Sequence, residues 1–227
     1  MEIHFFIITM GAEIIQQQLR GTTPHEYRAL AAAIAGDAAR ILSAFEELER
    51  LARLDSGAQD LDPGEADLAA VIEATVGQLG AHTKGRSSGF TLRIDHQPLA
   101  VPLAQLELER IAWRLLATLA GVSAPGEQLR LRLRNKGGVV RCDLDLPAAL
   151  AARDGDAIFA TSANALPRVI SAGVFGVGFA LRLARAEAHA AGGALLRKGD
   201  RLRLTLPGLT VASAPHTHGA GSTEGAA

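Results

Sequence analysis

The chain has 227 residues, which is room for one large domain or two small ones. Its 23 basic and 24 acidic residues nearly cancel, and a general polyanion binder would be more basic, so the composition argues against a nucleic-acid partner. A single cysteine, Cys142, excludes an internal disulfide framework and a multi-cysteine zinc site, as expected for a cytoplasmic protein. The apolar run at 5–10 is far shorter than the roughly 20 residues of a bilayer span, so no membrane span is predicted.

Residues 1–57 predict a hairpin of two helices. The first helix, over residues 2–20, is apolar at its start and is followed by a glycine. Thr23 has the features of a helix cap, Pro24 suits the first helical position, and Glu26 completes the pattern of a capping box. The second helix is therefore expected to begin in this turn and to run antiparallel to the first.

The second helix carries an unbroken heptad pattern of apolar residues. Its members are Tyr27, Ala31, Ile34, Ala38, Ile41, Phe45, Leu48 and Ala52. One hairpin cannot bury such a seam by itself, so we expect two hairpins to pair as a four-helix homodimer. The alternative is that the seam packs against the rest of the same chain.

A linker at 58–64, marked by Asp-Pro-Gly, separates the hairpin from a second domain at 65–209, and residues 210–227 are predicted to be a disordered tail. In the second domain, apolar patterns predict the order helix, strand, helix, two strands, helix, two strands. These elements lie at 65–80, 90–94, 104–120, 129–134, 139–146, 178–190, 194–196 and 201–206. The order predicts an α+β fold, in which the helical hairpin precedes an α/β sandwich with helices on one face of a mostly antiparallel sheet.

This layout resembles a sensor histidine kinase. The hairpin is similar to the dimerisation and histidine-phosphotransfer domain, and residues 51–57, Leu-Ala-Arg-Leu-Asp-Ser-Gly, resemble the segment that closes its second helix. The rest resembles the ATP-binding domain of the gyrase, heat-shock-chaperone and MutL superfamily. The resemblance implies a two-component signalling protein with ATP as its ligand and a response-regulator receiver domain as its partner.

The phosphoacceptor motif of that family, H-E-x-R-x-P-L, has no match in residues 1–20. In one register the histidine would lie before Met1, and in another Ala12 replaces it. His25 begins a string His-Glu-Tyr-Arg that reproduces H-E-x-R, but it starts the second helix and lacks the proline. Capping of that helix is the preferred interpretation of the string, and a role for His25 as acceptor is the alternative.

The asparagine-rich helix of the family, N-L-L-x-N-A, corresponds to Arg114-Leu-Leu-Ala-Thr118-Leu. Both asparagines are replaced, and Arg114 is a candidate for direct contact with a phosphate, since a guanidinium binds phosphate bidentately. Thr118 is a poor replacement for an amide as a metal ligand, which argues against Mg²⁺ binding. Glu107 and Glu109 are candidates for a base or a metal ligand on this helix, although a solvated face is the preferred interpretation.

The first glycine motif of the family, D-x-G-x-G, aligns Asp145 with the adenine-binding aspartate when counted back from Ile158. Pro147 and Ala149 then replace the two glycines, and each restricts the close approach of backbone to ligand. Asp145 is accordingly either a nucleotide reader or a residue that ends a strand.

The second glycine motif is better kept, because Gly173-Val-Phe-Gly176-Val-Gly178 resembles G-G-T-G-L-G. Glycines at these positions let the chain turn tightly and direct N–H groups at phosphate, with a helix N-terminus behind them. Gly173, Gly176 and Gly178 are therefore predicted nucleotide-binding residues.

Together these motifs predict a histidine-kinase-family signalling protein with a degenerate ATP site that does not phosphorylate itself as this chain. The loss of the acceptor, both asparagines and the first glycine pair supports an alternative. In that alternative the chain is a non-catalytic dimeric scaffold, or a phosphotransfer protein, that docks response regulators.

Overall fold

The computed structural model describes residues 2–95, 98–160 and 175–209. It begins with the predicted hairpin, formed by α1 (Glu2–Gln16) and the long α2 (His25–Asp55). The predicted capping box is wrong. The Thr23 hydroxyl donates to the Gly21 carbonyl and caps nothing, while Pro24 takes the cap position with φ of −53° and ψ of 148°. Proline is already fixed near this φ, so α2 starts without a side-chain cap.

A five-stranded sheet forms the centre of the second domain. Its strands are β2 (Gly89–Ile94), β4 (Gln128–Lys136), β5 (Val139–Asp145), β6 (Ala194–Lys198) and β7 (Arg201–Pro207). Their order is β2-β4-β5-β7-β6, and every neighbouring pair is antiparallel except β2 and β4. Two further short strands, β1 (Ala66–Asp67) and β3 (Ala100–Val101), pair with each other. The mostly antiparallel sheet is as predicted.

Helices cover one face of this sheet. They are α3 (Leu68–Thr83), α4 (Gln105–Val122), the single-turn α5 (Ala148–Ala151) and α6 (Gly176–Ala190). Alternate residues of the strands are buried beneath them, for example Leu131 and Leu133 on β4 and Leu202 and Leu204 on β7. The other face of the sheet is charged, as the strict Leu-Arg alternation of β4 requires.

Two alanines of the α2 heptad seam are buried, whereas Ala52 and the large members of the seam are exposed. Ala31 and Ala38 are buried, whereas Ile34 and Ile41 keep 44% and 42% of their surface exposed. Twelve of the seventeen large hydrophobic side chains exposed in the described part of the chain lie on the hairpin. The rest of the described chain thus leaves the large seam residues uncovered.

The hairpin and the sheet domain are joined through a packed linker. Leu61 is buried, and the Asp62 carbonyl accepts a hydrogen bond from the Ala104 N–H at 2.9 Å. None of the helices in the described residues is both long and apolar enough to cross a membrane. The predictions for Gly173 and for the tail at 210–227 lie outside the described residues.

Candidate functional site

A buried ion-pair network connects the hairpin to the helix layer of the second domain. Arg50 on α2 donates from Nε to the Glu187 Oε1 of α6 at 2.7 Å and from Nη2 to the Glu107 Oε2 of α4 at 2.5 Å. Arg114 on α4 donates from Nε to the second Glu187 oxygen at 3.2 Å. The Glu187 side chain is 0% exposed and that of Glu107 is 5% exposed. Both carboxylates therefore depend on these arginines, and not on water, to stabilise their charge.

The network extends to two more residues near the protein surface. Arg114 Nη1 lies 2.7 Å from a Glu47 oxygen, and Arg110 Nη1 lies 3.0 Å from Glu107 Oε1. Three arginines therefore face three glutamates. Burial would lower the pKa of Arg50, but the Glu187 and Glu107 carboxylates outweigh it, so that its pKa is raised and the guanidinium stays charged. We call these six residues the interdomain network.

Two predicted site residues, Arg114 and Thr118, lie on this part of α4. The guanidinium of Arg114 is held by Glu187 and Glu47, and contact with a phosphate remains a prediction. Thr118 follows one turn later and is fully buried, and its hydroxyl has no hydrogen-bond partner in the described part of the chain. Glu107 and Glu109 are both expected to face solvent. This is wrong for Glu107, which is buried beside Arg50 between the two domains, and correct for Glu109, which is exposed.

Asp145 lies at the end of β5 on the charged face of the sheet. Its carboxylate accepts from Arg130 Nε at 2.7 Å and from Arg201 Nε at 2.9 Å. Partial burial would raise the pKa of Asp145, but the two guanidinium groups outweigh it and lower that pKa. The carboxylate is thus an ionised partner of two arginines, which fits a strand-end role.

The face of β5 toward the helices is apolar. Val140, Cys142 and Leu144 are the residues it buries there, each at most 1% exposed. The structure therefore does not bring Asp145 together with Arg114 and Thr118, because the sheet lies between its carboxylate and the helix layer. Burial raises the pKa of the Cys142 thiol, with the nearby Asp143 charge adding to the effect, so this thiol stays protonated.

Gly176 and Gly178 lie at the start of α6. Gly176 is its first residue and has a φ of +79°, the left-handed region that favours glycine, and Gly178 is buried in the first turn. This arrangement is a tight turn into a helix N-terminus, as predicted for the second glycine motif. The roles of both glycines in nucleotide binding remain predictions.

His25 is the first residue of α2 and is exposed. It lies 25 residues before Arg50 in one continuous helix, which corresponds to about 37 Å at 1.5 Å per residue. The same chain therefore separates His25 widely from the helix layer. In the described residues, no group of three or more His, Cys, Asp or Glu side chains could hold a metal ion.

The described residues do not fit the way in which the resemblance implies that ATP and Mg²⁺ would be bound. β5 presents no carboxylate to the helix layer, and Arg114 is paired with two glutamates. The buried carboxylates, Glu107 and Glu187, are already neutralised by arginine.

A helical hairpin followed by helices on one face of a mixed five-stranded sheet is the fold of a sensor histidine kinase core, and the chain has this fold. Full-length ShkA in complex with AMPPNP matches it with a TM-score of 0.66 at 16% identity, over 87% of this chain and 41% of ShkA. AdeS of Acinetobacter baumannii matches at 0.57 and 13% identity, over 89% of this chain and 94% of AdeS. A histidine kinase from Burkholderia phymatum STM815 matches at 0.51 and 16% identity, over 90% and 94% of the two chains.

The chain spans about two fifths of the length of full-length ShkA and nearly all of the other two solved chains. At these identities the likeness establishes the fold. No family model matches the sequence, and no curated protein matches it.

Proposed function

We propose that this chain is a dimeric two-component signalling protein that docks a response-regulator receiver domain and does not phosphorylate itself from ATP. The observation that carries the proposal is the interdomain network. It occupies the α4 position where the resemblance places a metal-holding asparagine, and it joins the second domain to the hairpin.

The network opposes autophosphorylation in two ways. Arg114 would have to exchange Glu187 and Glu47 for a phosphate, which would leave a fully buried carboxylate with one partner fewer. Phosphoryl transfer also needs the phosphate donor to reach the acceptor in line. The contacts of Arg50 hold α4 and α6 against the C-terminal half of α2, far from His25.

The uncovered hairpin supports dimerisation. Tyr27, Ile34, Ile41 and Leu48 recur at heptad spacing and are each at least 42% exposed. Fully burying a large apolar side chain contributes about 1.5–3 kcal/mol, so covering the exposed part of each would contribute about 1 kcal/mol. A second hairpin supplies such cover in the geometry of a four-helix bundle.

The test is incubation of the purified chain with γ-labelled ATP, Mg²⁺ and Mn²⁺. We expect no protein-bound label, while the Burkholderia phymatum histidine kinase serves as the positive control for the assay. An acid-labile, base-stable label on this chain would refute the proposal. If the label disappeared in a His25→Ala variant, His25 would be the acceptor.

ATP binding without phosphorylation is a separate prediction, supported by the glycine turn at Gly176 and the helix that follows it. Titration with a fluorescent ATP analogue, with and without Mg²⁺, tests it, and no saturable binding at millimolar concentration would contradict it. Asp145→Asn should leave any affinity unchanged, because that carboxylate lies on the opposite face of the sheet. Loss of affinity in this variant would restore Asp145 as a nucleotide reader.

Phosphotransfer through His25 is the second candidate function. Its exposure at the N-terminus of α2 favours it, because the positive end of a helix dipole stabilises a phosphoryl group. Incubation with a phosphorylated receiver domain should then move the phosphoryl group to this chain, and His25→Ala should abolish the transfer. Transfer that persists in this variant would assign it to another residue.

A further inference from the structure

The outer face of the sheet, away from the helices, concentrates positive charge. Seven of the chain's twenty arginines project from this face, accompanied by two aspartates, Asp143 and Asp145. We call it the arginine face, and its arginines are Arg93, Arg130, Arg132, Arg134, Arg141, Arg201 and Arg203. Most of them border a shallow groove of about 500 Å³. Lys136 and Lys198 share this face, so it carries an excess of seven positive charges in a chain whose net charge is −1.

Each aspartate pairs with two arginines, so it fixes their orientation without neutralising both charges. Asp143 accepts from Arg134 Nη2 at 2.7 Å and from Arg203 Nε at 2.6 Å. Asp145 likewise binds two arginines through Nε. Three of the four paired arginines therefore use only Nε, and their terminal nitrogens donate to no side chain in the described residues. A guanidinium held in this way presents a fixed pair of donors to a carboxylate or phosphate.

Several arginines of this face lie close to one another, which is unfavourable for the isolated protein. Arg93 stands directly across from Arg132, and Arg134 directly across from Arg141. Like charges directly opposite each other destabilise a sheet. Arg93, Arg132 and Arg141 form no ion pair with the described residues, and the Nε atoms of Arg134 and Arg141 are buried without a hydrogen-bond partner there. Such local conflicts are expected at functional sites, where a ligand relieves them.

We propose that the arginine face is a docking surface for an acidic helix of a protein partner. On β4, Arg130, Arg132 and Arg134 stand about 6.8 Å apart because alternate residues of a strand share a face. Carboxylates four residues apart on a helix are separated by about 6 Å along its axis, so one acidic helical face can pair with this row. This surface is separate from the hairpin and does not depend on the signalling function proposed above.

Two observations favour a compact acidic protein over a nucleic acid. The rest of the chain carries eight excess negative charges, which repel a polyanion that extends beyond the face. None of the described side chains directed to the arginine face is aromatic, so the face offers no platform on which bases could stack.

The first experiment measures fluorescence anisotropy of a labelled 20-residue helical peptide with glutamate at every fourth position, at 50 mM and 200 mM salt. The matched peptide carries glutamine instead, and a 20-base-pair DNA duplex is the third probe. We expect the glutamate peptide to bind at least tenfold more tightly than the glutamine peptide, and more tightly than the duplex. Tighter binding of the duplex would overturn the proposal in favour of nucleic acid, and equal or absent binding of the two peptides would also overturn it.

The second experiment uses the double charge reversal Arg93→Glu/Arg132→Glu, with Arg20→Glu/Arg53→Glu on the hairpin as a control of equal charge change. The face variant should weaken binding of the glutamate peptide at least tenfold and the control less than threefold. Equal weakening by the two variants would show a general charge effect and refute docking at this face.

Folding is checked with Arg132→Gln, which removes the repulsion with Arg93 and no ion pair. Its melting temperature should match or exceed that of the unmodified chain while its affinity for the glutamate peptide falls. A lower melting temperature would instead assign Arg132 a structural role and contradict the proposal.

Discussion

Replacing Glu187 by glutamine is the most direct test of the interdomain network. The change keeps the size of the side chain and removes the one carboxylate that contacts both Arg50 and Arg114. Each guanidinium keeps one other carboxylate, Glu107 for Arg50 and Glu47 for Arg114. The variant therefore leaves one excess positive charge in a site where Glu187 is 0% exposed.

The expected cost follows from the burial of this charge. Removing one partner of a buried ion pair costs about 3–5 kcal/mol, and the two remaining carboxylates place Glu187→Gln near the lower end, at about 3 kcal/mol. The matched control is Glu109→Gln on α4. Its carboxylate is exposed and, among the described residues, accepts a hydrogen bond from Gln105 alone, at 2.8 Å, so we expect a change within about 0.5 kcal/mol.

Urea denaturation at one fixed protein concentration measures both variants, since dimerisation would make the midpoint depend on concentration. A double-mutant cycle with Arg50→Met and Glu187→Leu should give a coupling energy of about 2 kcal/mol. Native-state cleavage by an Asp-specific protease at Asp60 and Asp62 reports separation of the two domains, and it should accelerate in Glu187→Gln only. If Glu187→Gln lost no more stability than Glu109→Gln and cleavage stayed unchanged, the network would not join the domains.

Three other substitutions test the fold. Ile41→Glu places a charge in the exposed seam and should raise the dissociation constant of the dimer more than tenfold, as measured by analytical ultracentrifugation. An unchanged dissociation constant would exclude the seam as the dimer interface. The lowered pKa of Asp145 means that its ion pairs stabilise the fold above the unfolded pKa of about 3.9 and lose this effect as pH falls through the folded pKa. Asp145→Asn should therefore lower the urea midpoint at pH 7, and this difference should shrink as the pH falls below the unfolded pKa. A loss that stays the same over this range would contradict the ion-pair explanation. Gly193→Ala would bring a Cβ to 1.9 Å from the Thr205 carbonyl oxygen and should cost about 3 kcal/mol or more. At Gly80, within α3, a Cβ would meet no atom of the described residues within 4 Å apart from the neighbouring helix backbone, so Gly80→Ala should gain about 1 kcal/mol. Similar urea midpoints for the two variants would refute the close approach at Gly193.

The sequence predicts most of the sheet domain because one buried face imposes a strict pattern. Leucine and arginine alternate along β4 without interruption, and a strand with one covered face must alternate in this way. The two-residue strands β1 and β3 are too short to carry any period, and they were not predicted. The parallel pairing of β2 with β4 cannot be predicted from a local sequence pattern either, because it depends on the helix that crosses between the two strands.

The placement of Asp145 shows how a motif count and a physical pattern can disagree. Counting residues from Ile158 aligns Asp145 with a nucleotide-binding aspartate. The alternation of Val140, Cys142 and Leu144 already assigns Asp145 to the opposite face, since neighbouring residues of a strand point to opposite sides. The alternation is the stronger signal, because a slip of one residue would bury every charge on β5.

The interdomain network lies beyond local pattern, since 137 residues separate Arg50 from Glu187. A weaker signal does exist within the helices themselves. Glu187 shares the apolar face of α6 with Leu183 and Ala184, and Glu107 shares that of α4 with Ile111. A carboxylate within a buried apolar stripe is retained only beside a cation, because a charge is rarely fully buried unless it is paired. Arg110 and Arg114 of α4 each pair with one of these carboxylates, and Arg50 of α2 pairs with both. These contacts favour one orientation of the hairpin on the sheet domain, because another orientation would take the Arg50 guanidinium away from both buried glutamates.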